Sequence, residues 1–353
     1  MSPDLLHPSS ATDVAEMLAA SSADGRRVLI VGGRRHLDKG NPAEVDAELW
    51  TTQLDQVVAY DPAEMLVVVQ AGMRCGALAE LLAEHAQEWP ADAPADSTVG
   101  GVIASGSSSA RRMRVGAIRD TVVEMELVTG DGRIVHSGAR TVKNVTGYDV
   151  HRLATGSLGT LGVITQVALK VRPVPERRVT IEVQGSTSLA TDIVRRAPLA
   201  AGVLATAETV EVRLEGWHAE VDELAAAVAA VAPPAESHDD LPFPRRPWWE
   251  WSDVGTVVEA SVAPSRLAQA VEGSSSFAAM AGVGLAWIAT FSPDELADVR
   301  TRVAAAGGIA PAIRGPGGLG GPPTPGLEVH RRLRAAFDPA NILAPGRGWH
   351  EPS

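Results

Sequence analysis

The chain has 353 residues, 45% of them hydrophobic, with 31 Lys and Arg against 43 Asp and Glu and a formal net charge of −12. Such a chain can fill a packed core in more than one lobe, and its acidic balance disfavours general nucleic-acid binding, because phosphate backbones are repelled. The single cysteine, Cys75, excludes an intramolecular disulfide or a cysteine-ligated cluster within the chain.

No run of about 18 apolar residues predicts a membrane-spanning helix. The opening MSPDLLHPSSATDVAEM lacks the basic and then apolar order of a secretory leader, so the expected address is cytoplasmic. Val14, Met17 and Leu18 share one face of a first helix, with Ser10, Thr12 and Asp13 as candidate caps. Arg27 to Val31 reads as a strand that Gly32-Gly33 ends. Val57 to Tyr60 and Leu66 to Ala71 read as two strands split by Asp61-Pro62, and Gly72 leads into a helix carrying Leu78, Leu81 and Leu82. Glu124 to Val128 and Arg133 to His136 flank Gly130-Asp131-Gly132, a hairpin signal. Val163 to Val171 is a strand stopped by Pro173.

Beyond Pro175 the pattern predicts strands at 179–183, 209–214, 256–262 and 284–290, with helices at 188–196, 221–231, 265–271 and 294–305. A loop rich in proline and tryptophan runs from Pro233 to Trp251, and Gly315 to Gly326 reads as a mobile glycine loop. Leu327 to Phe337 is a short helix. The fold class expected is α+β, since strands dominate without regular βαβ alternation.

Three segments carry candidate chemistry. In Val28 to Gly40 a strand delivers two glycines, where consecutive backbone N–H groups can form a concave anion site. The loop has no G-x-G-x-x-G, so a Rossmann cradle is excluded, and a polar hairpin loop is the plain alternative. Ser97 to Asp120 mixes glycine, serine and arginine around Val99, Val102, Ile103 and Ile118, a ligand-lining segment or else a serine-rich linker. In Thr141 to Val171, Gly156, Gly159 and Gly162 recur at intervals of three before a strand, as a cofactor turn or a glycine turn packed on a helix. One extended cofactor can use all three.

In this order and spacing the segments resemble the FAD-binding domain of the vanillyl-alcohol-oxidase and p-cresol-methylhydroxylase (PCMH) type. TVGGVIAS is similar to its second glycine segment. KNVTGYD and GSLGTLGVIT are specific phrases of that family, and LRAAFDPANILAPGR resembles its C-terminal signature. The nearest branch is that of the FAD-binding (E) subunits of bacterial glycolate oxidase. The resemblance implies a two-lobed PCMH-type FAD-binding domain over residues 1–175 and a smaller α+β, ferredoxin-like cap domain over 176–326. A C-terminal segment, 327–353, would pack back on the FAD domain.

It also implies FAD, with its pyrophosphate on Gly32, Gly33, Arg34, Arg35 and His36. Thr98, Val99, Gly100, Gly101, Ala104, Ser105 and Gly106 would line pyrophosphate and flavin, with Arg111 and Gly116 further along the same segment. Gly162, Val163 and Ile164 would meet the cofactor through backbone. The family's first loop usually runs G-G-G-[ST], whereas Arg34 and Arg35 occupy its last two places here. Its tail often has asparagine where Ala344 stands. His36 lies two places off the register of a covalent histidyl link, so the FAD is expected to be non-covalent.

His218, His238, His330 and His350 form no close pair, so no metal site is expected. No catalytic base stands out. The implied activity is oxidation of a 2-hydroxy acid, glycolate or D-lactate, with electrons passed to an iron–sulfur subunit beside a related flavin subunit. A stand-alone FAD-dependent alcohol or sugar oxidase and a catalytically silent structural paralogue are the alternatives. The cluster RRPWWEW, Arg245 to Trp251, is either a cover or subunit contact or plain packing.

Overall fold

The computed structural model describes residues 2–139, 148–232, 236–239, 243–251, 254–320 and 327–348. The chain divides into two units: Met1–Ser109, Ala117–Val174 and Pro322–Ser353 form one, and Ala110–Gly116 with Pro175–Gly321 the other.

The first unit opens with strand β1 (Asp4–Leu6) and helix α1 (Ala11–Ala23). Ser10 caps the helix, its Oγ accepting from Asp13 N at 3.1 Å. Val14 and Leu18, one turn apart, are fully buried. Strands β2 (Val28–Val31) and β3 (Ala47–Trp50) complete a parallel sheet of order β1-β3-β2. The open side of β2 is met by the C-terminal tail, where Val28 N donates to Ile342 O and Ala344 N to Val28 O. Ile342 and Leu343 join Val28 and Leu49 in one apolar cluster.

Strands β4 (Val57–Asp61) and β5 (Leu66–Gln70), helix α2 (Cys75–Ala83), strand β6 (Gln87–Glu88) and helix α3 (Val99–Ser105) follow. The chain passes through α4 (Arg112–Val115), which belongs to the other unit. It then makes β7 (Val122–Val128), β8 (Ile134–Gly138), α5 (Val150–Ala154), β9 (Val163–Lys170) and β10 (Arg172–Pro173). An antiparallel sheet of order β4-β5-β9-β7-β8 results. The β7-β8 turn falls on the expected glycines, with Gly132 at φ 82. Alternate residues of β5 and β9 pack on α2 and α3 through Val67, Val69, Leu78, Leu82 and Ile103.

The second unit holds strands β11 (Arg177–Gln184), β12 (Gly202–Ala205), β13 (Thr209–Gly216) and β14 (Glu236–Asp239), with helices α6 (Thr187–Arg196) and α7 (His218–Ala229). It continues with strands β15 (Thr256–Ser261), β16 (Phe277–Met280), β17 (Leu285–Thr290) and β18 (Ala312–Arg314), and helices α8 (Leu267–Val271) and α9 (Pro293–Ala305). The sheet order is β14-β11-β13-β12-β16-β17-β15-β18, antiparallel throughout. Each half is a βαββαβ unit with its strands in ferredoxin-like order, and the halves join edge to edge at β12 and β16.

One ferredoxin-like module was expected and two are found. The strands missed are short: GVLA and FAAM are apolar runs of four residues without alternation, and ESHD and AIR are too brief for periodicity to resolve. One sheet face packs on the helices through Val203, Val212, Val258 and Ile288. Trp248 and Trp251 cover the other face with Trp287, Leu204 and Met280, so these two tryptophans of RRPWWEW are core of this unit. Of the glycine loop, Gly317 and Gly318 are anchored: their carbonyls accept from Arg300 Nη2 at 2.8 and 2.9 Å. Residues 321–326 lie outside the described part. Helix α10 (Leu327–Phe337) and the tail belong to the first unit.

Candidate flavin-binding site

The cleft of interest lies in the first unit, where the loop after β2, the start of α3 and the turn before β9 meet. The loop after β2 approaches the second segment so closely that side chains are excluded. A Cβ on Gly32 would stand 2.2 Å from Thr98 Oγ1, and one on Gly33 2.5 Å from Asp96 O. Thr98 caps α3, its Oγ1 accepting from Gly101 N at 3.2 Å. Gly100 sits on Ala71, where its N–H donates to the Ala71 carbonyl at 2.7 Å and a Cβ would come 2.8 Å from the Ala71 methyl. The third segment closes on the end of α3: Gly156 N donates to Ile103 O and Leu158 N to Ala104 O. Its backbone turns through left-handed residues, with Gly156, Leu158 and Gly159 at φ 83, 57 and 78.

The two arginines in place of small residues do not fill the cleft. Arg34, itself at φ 59, forks onto Glu48 with Nη1 and Nη2 at 3.0 and 3.1 Å from the two carboxylate oxygens. Its guanidinium lies 5.1 Å from the Trp50 ring centre, and Trp50 Nε1 donates to the same carboxylate at 3.0 Å. Arg35 pairs with Asp96, its Nε at 2.7 Å, and holds that carboxyl below the usual carboxylate range. Both charges are thus met by protein carboxylates.

Two polar atoms in the cleft lining are enclosed and have no partner: Ser97 Oγ, on a residue with no exposed surface, and His36 Nε2. Buried polar atoms are nearly always hydrogen-bonded, and an orphan calls for a ligand or water. Burial, with the charge of Lys39 adding to it, pushes the His36 imidazole down to about 4, so the ring is neutral at pH 7. The cleft is partly open to solvent, and the volume within its lining is about 70 Å³. That is room for on the order of five waters, which suits a phosphate-sized group in its narrow part. Glycine-lined backbone, two orphan polar atoms and a narrow slot fit the diphosphate of a dinucleotide.

Of the residues expected from sequence, Gly32, Gly33, Arg34, Arg35, His36, Thr98, Gly100, Gly101, Ala104, Ser105, Gly162 and Ile164 line this cleft. Val99 and Val163 do not: their side chains are fully buried in apolar core. Gly106 ends α3 in the left-handed conformation. Arg111 and Gly116 belong to the second unit, where Arg111 Nη1 stands 3.4 Å from the buried Glu215 and Gly116 ends α4. In the KNVTGYD phrase, Lys143 to Gly147 lie outside the described residues. Sequence reasoning held Ser97 and Leu158 within candidate segments and Arg347 within the C-terminal signature without naming them as cofactor contacts, and it missed Thr51. Burial pushes the Cys75 thiol up to about 12, which keeps it from the reactive thiolate form at neutral pH.

Residues 4–138 match the FAD binding domain family. The chain is 26% identical over 303 residues to glycolate oxidase subunit GlcE of Escherichia coli, a match covering 84% of this chain and 85% of that protein. It is 29% identical over 170 residues to D-lactate dehydrogenase of Archaeoglobus fulgidus, covering 48% of this chain and 38% of that one. Against the mitochondrial cytochrome-type D-lactate dehydrogenase of Arabidopsis thaliana it is 34% identical over 126 residues, 36% of this chain and 22% of that one. The chain thus spans well under half the length of these two dehydrogenases. Alkyldihydroxyacetonephosphate synthase shares the fold, with a TM-score of 0.70 at 16% identity over 97% of this chain and 76% of that one. No helix among the described residues is long and apolar enough to cross a membrane. Over residues 4–138, then, the chain is similar to the FAD binding domain family.

Proposed function

We propose that the chain binds FAD non-covalently in this cleft and works as an FAD-dependent oxidoreductase on the CH–OH group of a 2-hydroxy acid such as glycolate or D-lactate. It would do so as a subunit of glycolate-oxidase type, beside a related flavin subunit and an iron–sulfur subunit that takes the electrons. The observation that carries the reading is the pair of enclosed, unpartnered atoms Ser97 Oγ and His36 Nε2 in a glycine-walled slot. The likeness to a glycolate oxidase subunit over most of both chains supports the substrate class and the assembly.

Bound flavin supplies a two-electron acceptor for the substrate C–H bond. The chain's own residues hold the cofactor. Gly32, Gly33, Gly100, Gly101, Ala104, Ser105, Gly162 and Ile164 line the cleft and would be the residues that meet it. The paired state of Arg34 and Arg35 speaks against a silent paralogue, because neither side chain blocks the slot.

The test is purification of the full chain with its absorption spectrum recorded, followed by acid precipitation. A flavin spectrum whose colour leaves the protein in acid supports the reading. A colourless protein that takes up no added FAD overturns it, and yellow left in the pellet overturns the non-covalent mode. An affinity pull-down from the native host tests the subunit role: a larger flavoprotein and a cysteine-rich partner are expected to co-purify.

A further inference from the structure

We propose that Arg347, reaching in from the C-terminal tail, is the cation that meets the diphosphate of the bound dinucleotide, with Ser97 as its neutral partner. The proposal rests on the FAD reading above and adds a tail residue to that site.

Three arginines line the cleft, and their circumstances differ. Arg34 and Arg35 are paired with Glu48 and Asp96. Arg347 is buried and, among the described residues, has no carboxylate paired with it. Its side-chain hydrogen bonds all leave from Nη2 and all end on main-chain oxygens of the first loop: Leu37 O at 2.9 Å, Lys39 O at 2.7 Å and, longer, His36 O at 3.4 Å. Nε and Nη1 make no hydrogen bond among the described residues. A guanidinium carries five donors in a fixed fork that suits phosphate oxygens, and a buried cation without a counter-charge is costly. Burial already holds this guanidinium below its ordinary value, with only Asp38 acting against that. An anion in the slot would supply a counter-charge and acceptors for Nε and Nη1.

The tail is built to hold Arg347 in place. Asn41 N donates to Arg347 O at 3.0 Å, and Asn41 Nδ2 to the carbonyls of Gly346 and Gly348 at 3.1 and 3.2 Å. Gly40 lies so near that a Cβ there would meet Arg347 Cγ at 3.1 Å. Arg347 therefore has two roles: it fastens residues 36–39 of the first loop to the tail, and it presents its fork to the slot. Ser97 Oγ, enclosed and without a partner, lines the same slot. A phosphate-sized group fits the volume inside the lining, which matches the diphosphate among the parts of the cofactor. A dinucleotide should then be preferred over riboflavin, which has no phosphate to offer.

The experiment uses the full chain stripped of flavin, with Arg347→Met, Arg347→Lys and Ser97→Ala variants. Affinity for FAD and for riboflavin is read by flavin fluorescence, and the response to inorganic diphosphate by shift of the melting temperature. Wild type is expected to prefer FAD and to be stabilised by diphosphate. Arg347→Met should lose roughly 10- to 100-fold in FAD affinity and the diphosphate response, with riboflavin affinity unchanged. Arg347→Lys should recover part of the diphosphate response through its charge. Ser97→Ala should lose roughly 3- to 10-fold for FAD, and it carries the test should Arg347→Met not fold. Wild-type FAD and diphosphate binding in Arg347→Met overturns the proposal and leaves the FAD reading standing. A diphosphate response that needs Arg347 in a protein that takes up no flavin supports the anion site and overturns the FAD reading.

Discussion

Gly32 lies against Thr98 so tightly that a Cβ on the glycine would stand 2.2 Å from the threonine Oγ1 and 3.3 Å from its Cβ. The contact joins the loop after β2 to the cap of α3, and so fixes the width of the slot from both sides. Gly32→Ala is expected to destabilise the protein by about 2 to 3 kcal/mol, as overpacking does, and to weaken FAD uptake. Thr98→Ala alone removes a helix cap and should cost about 1 kcal/mol. In the double variant the hydroxyl is gone and the nearest remaining contact is the 3.3 Å one. The two losses should therefore not add. Urea melts of the four proteins measure the coupling, and strict additivity would show that the contact does not limit the loop.

Ser97 predicts effects of opposite sign. Its hydroxyl is buried without a partner in the ligand-free protein. Removing an unsatisfied buried polar group is neutral or stabilising, so Ser97→Ala should raise apo stability by up to about 1 kcal/mol while FAD binding weakens. Denaturation of the apoprotein beside a flavin titration reads both. A drop in apo stability would mean the hydroxyl already has a partner.

In the first unit β2, β4, β5, β7, β8 and β9 were legible because they alternate or run apolar between strong turn signals, whereas β1 and β3 were not read. Gly130-Asp131-Gly132 marks the hairpin, and Gly32-Gly33 the end of β2. Helix α3 was not, since VGGVIAS is seven residues long with two glycines and gains its order from Thr98 and from packing on β9. The duplication in the second unit was hidden because β14 and β18 are short and their neighbours lack periodicity. In the cleft, the glycines were legible as places of close approach. The direction of Arg34 and Arg35 was not, because their acids lie 14 and 61 residues away. Arg347 was read only as part of a signature, and its role follows from the tail pairing with β2.

His36 predicts a pH dependence. Its imidazole is held near 4 in the folded protein against an ordinary value of 6.5. Between these values the unfolded chain binds a proton that the folded chain does not, so stability rises with pH there. The contribution is complete above about pH 6.5 and is lost as pH falls toward 4. Its size is about 2 to 3 kcal/mol, with some allowance for the partly open side of the ring. His36→Asn should abolish this part of the pH profile. The check is the difference in chemical stability between wild type and variant from about pH 4.5 to 7.5. A flat difference would mean that His36 takes up its proton at the same pH folded and unfolded.

Arg34 predicts that restoring the small residue usual in the family weakens this protein. Glycine would relieve the left-handed backbone at φ 59, a gain of about 1 kcal/mol. It would also strand Glu48, whose side chain is only 10% exposed and whose carboxylate would keep only the Trp50 N–H among the contacts described above. Leaving a mostly buried carboxylate without its cation costs about 3 kcal/mol. The second effect wins, so Arg34→Gly should destabilise by roughly 1 to 2 kcal/mol. Adding Glu48→Gln removes the stranded charge and keeps an acceptor for Trp50 Nε1, so the double variant should recover most of the loss. FAD affinity should change little in either variant, because Arg34 spends its charge on Glu48. Thermal melts of both variants with a flavin titration check this. A large loss of FAD affinity in the stable double variant would show that Arg34 leaves Glu48 for the cofactor.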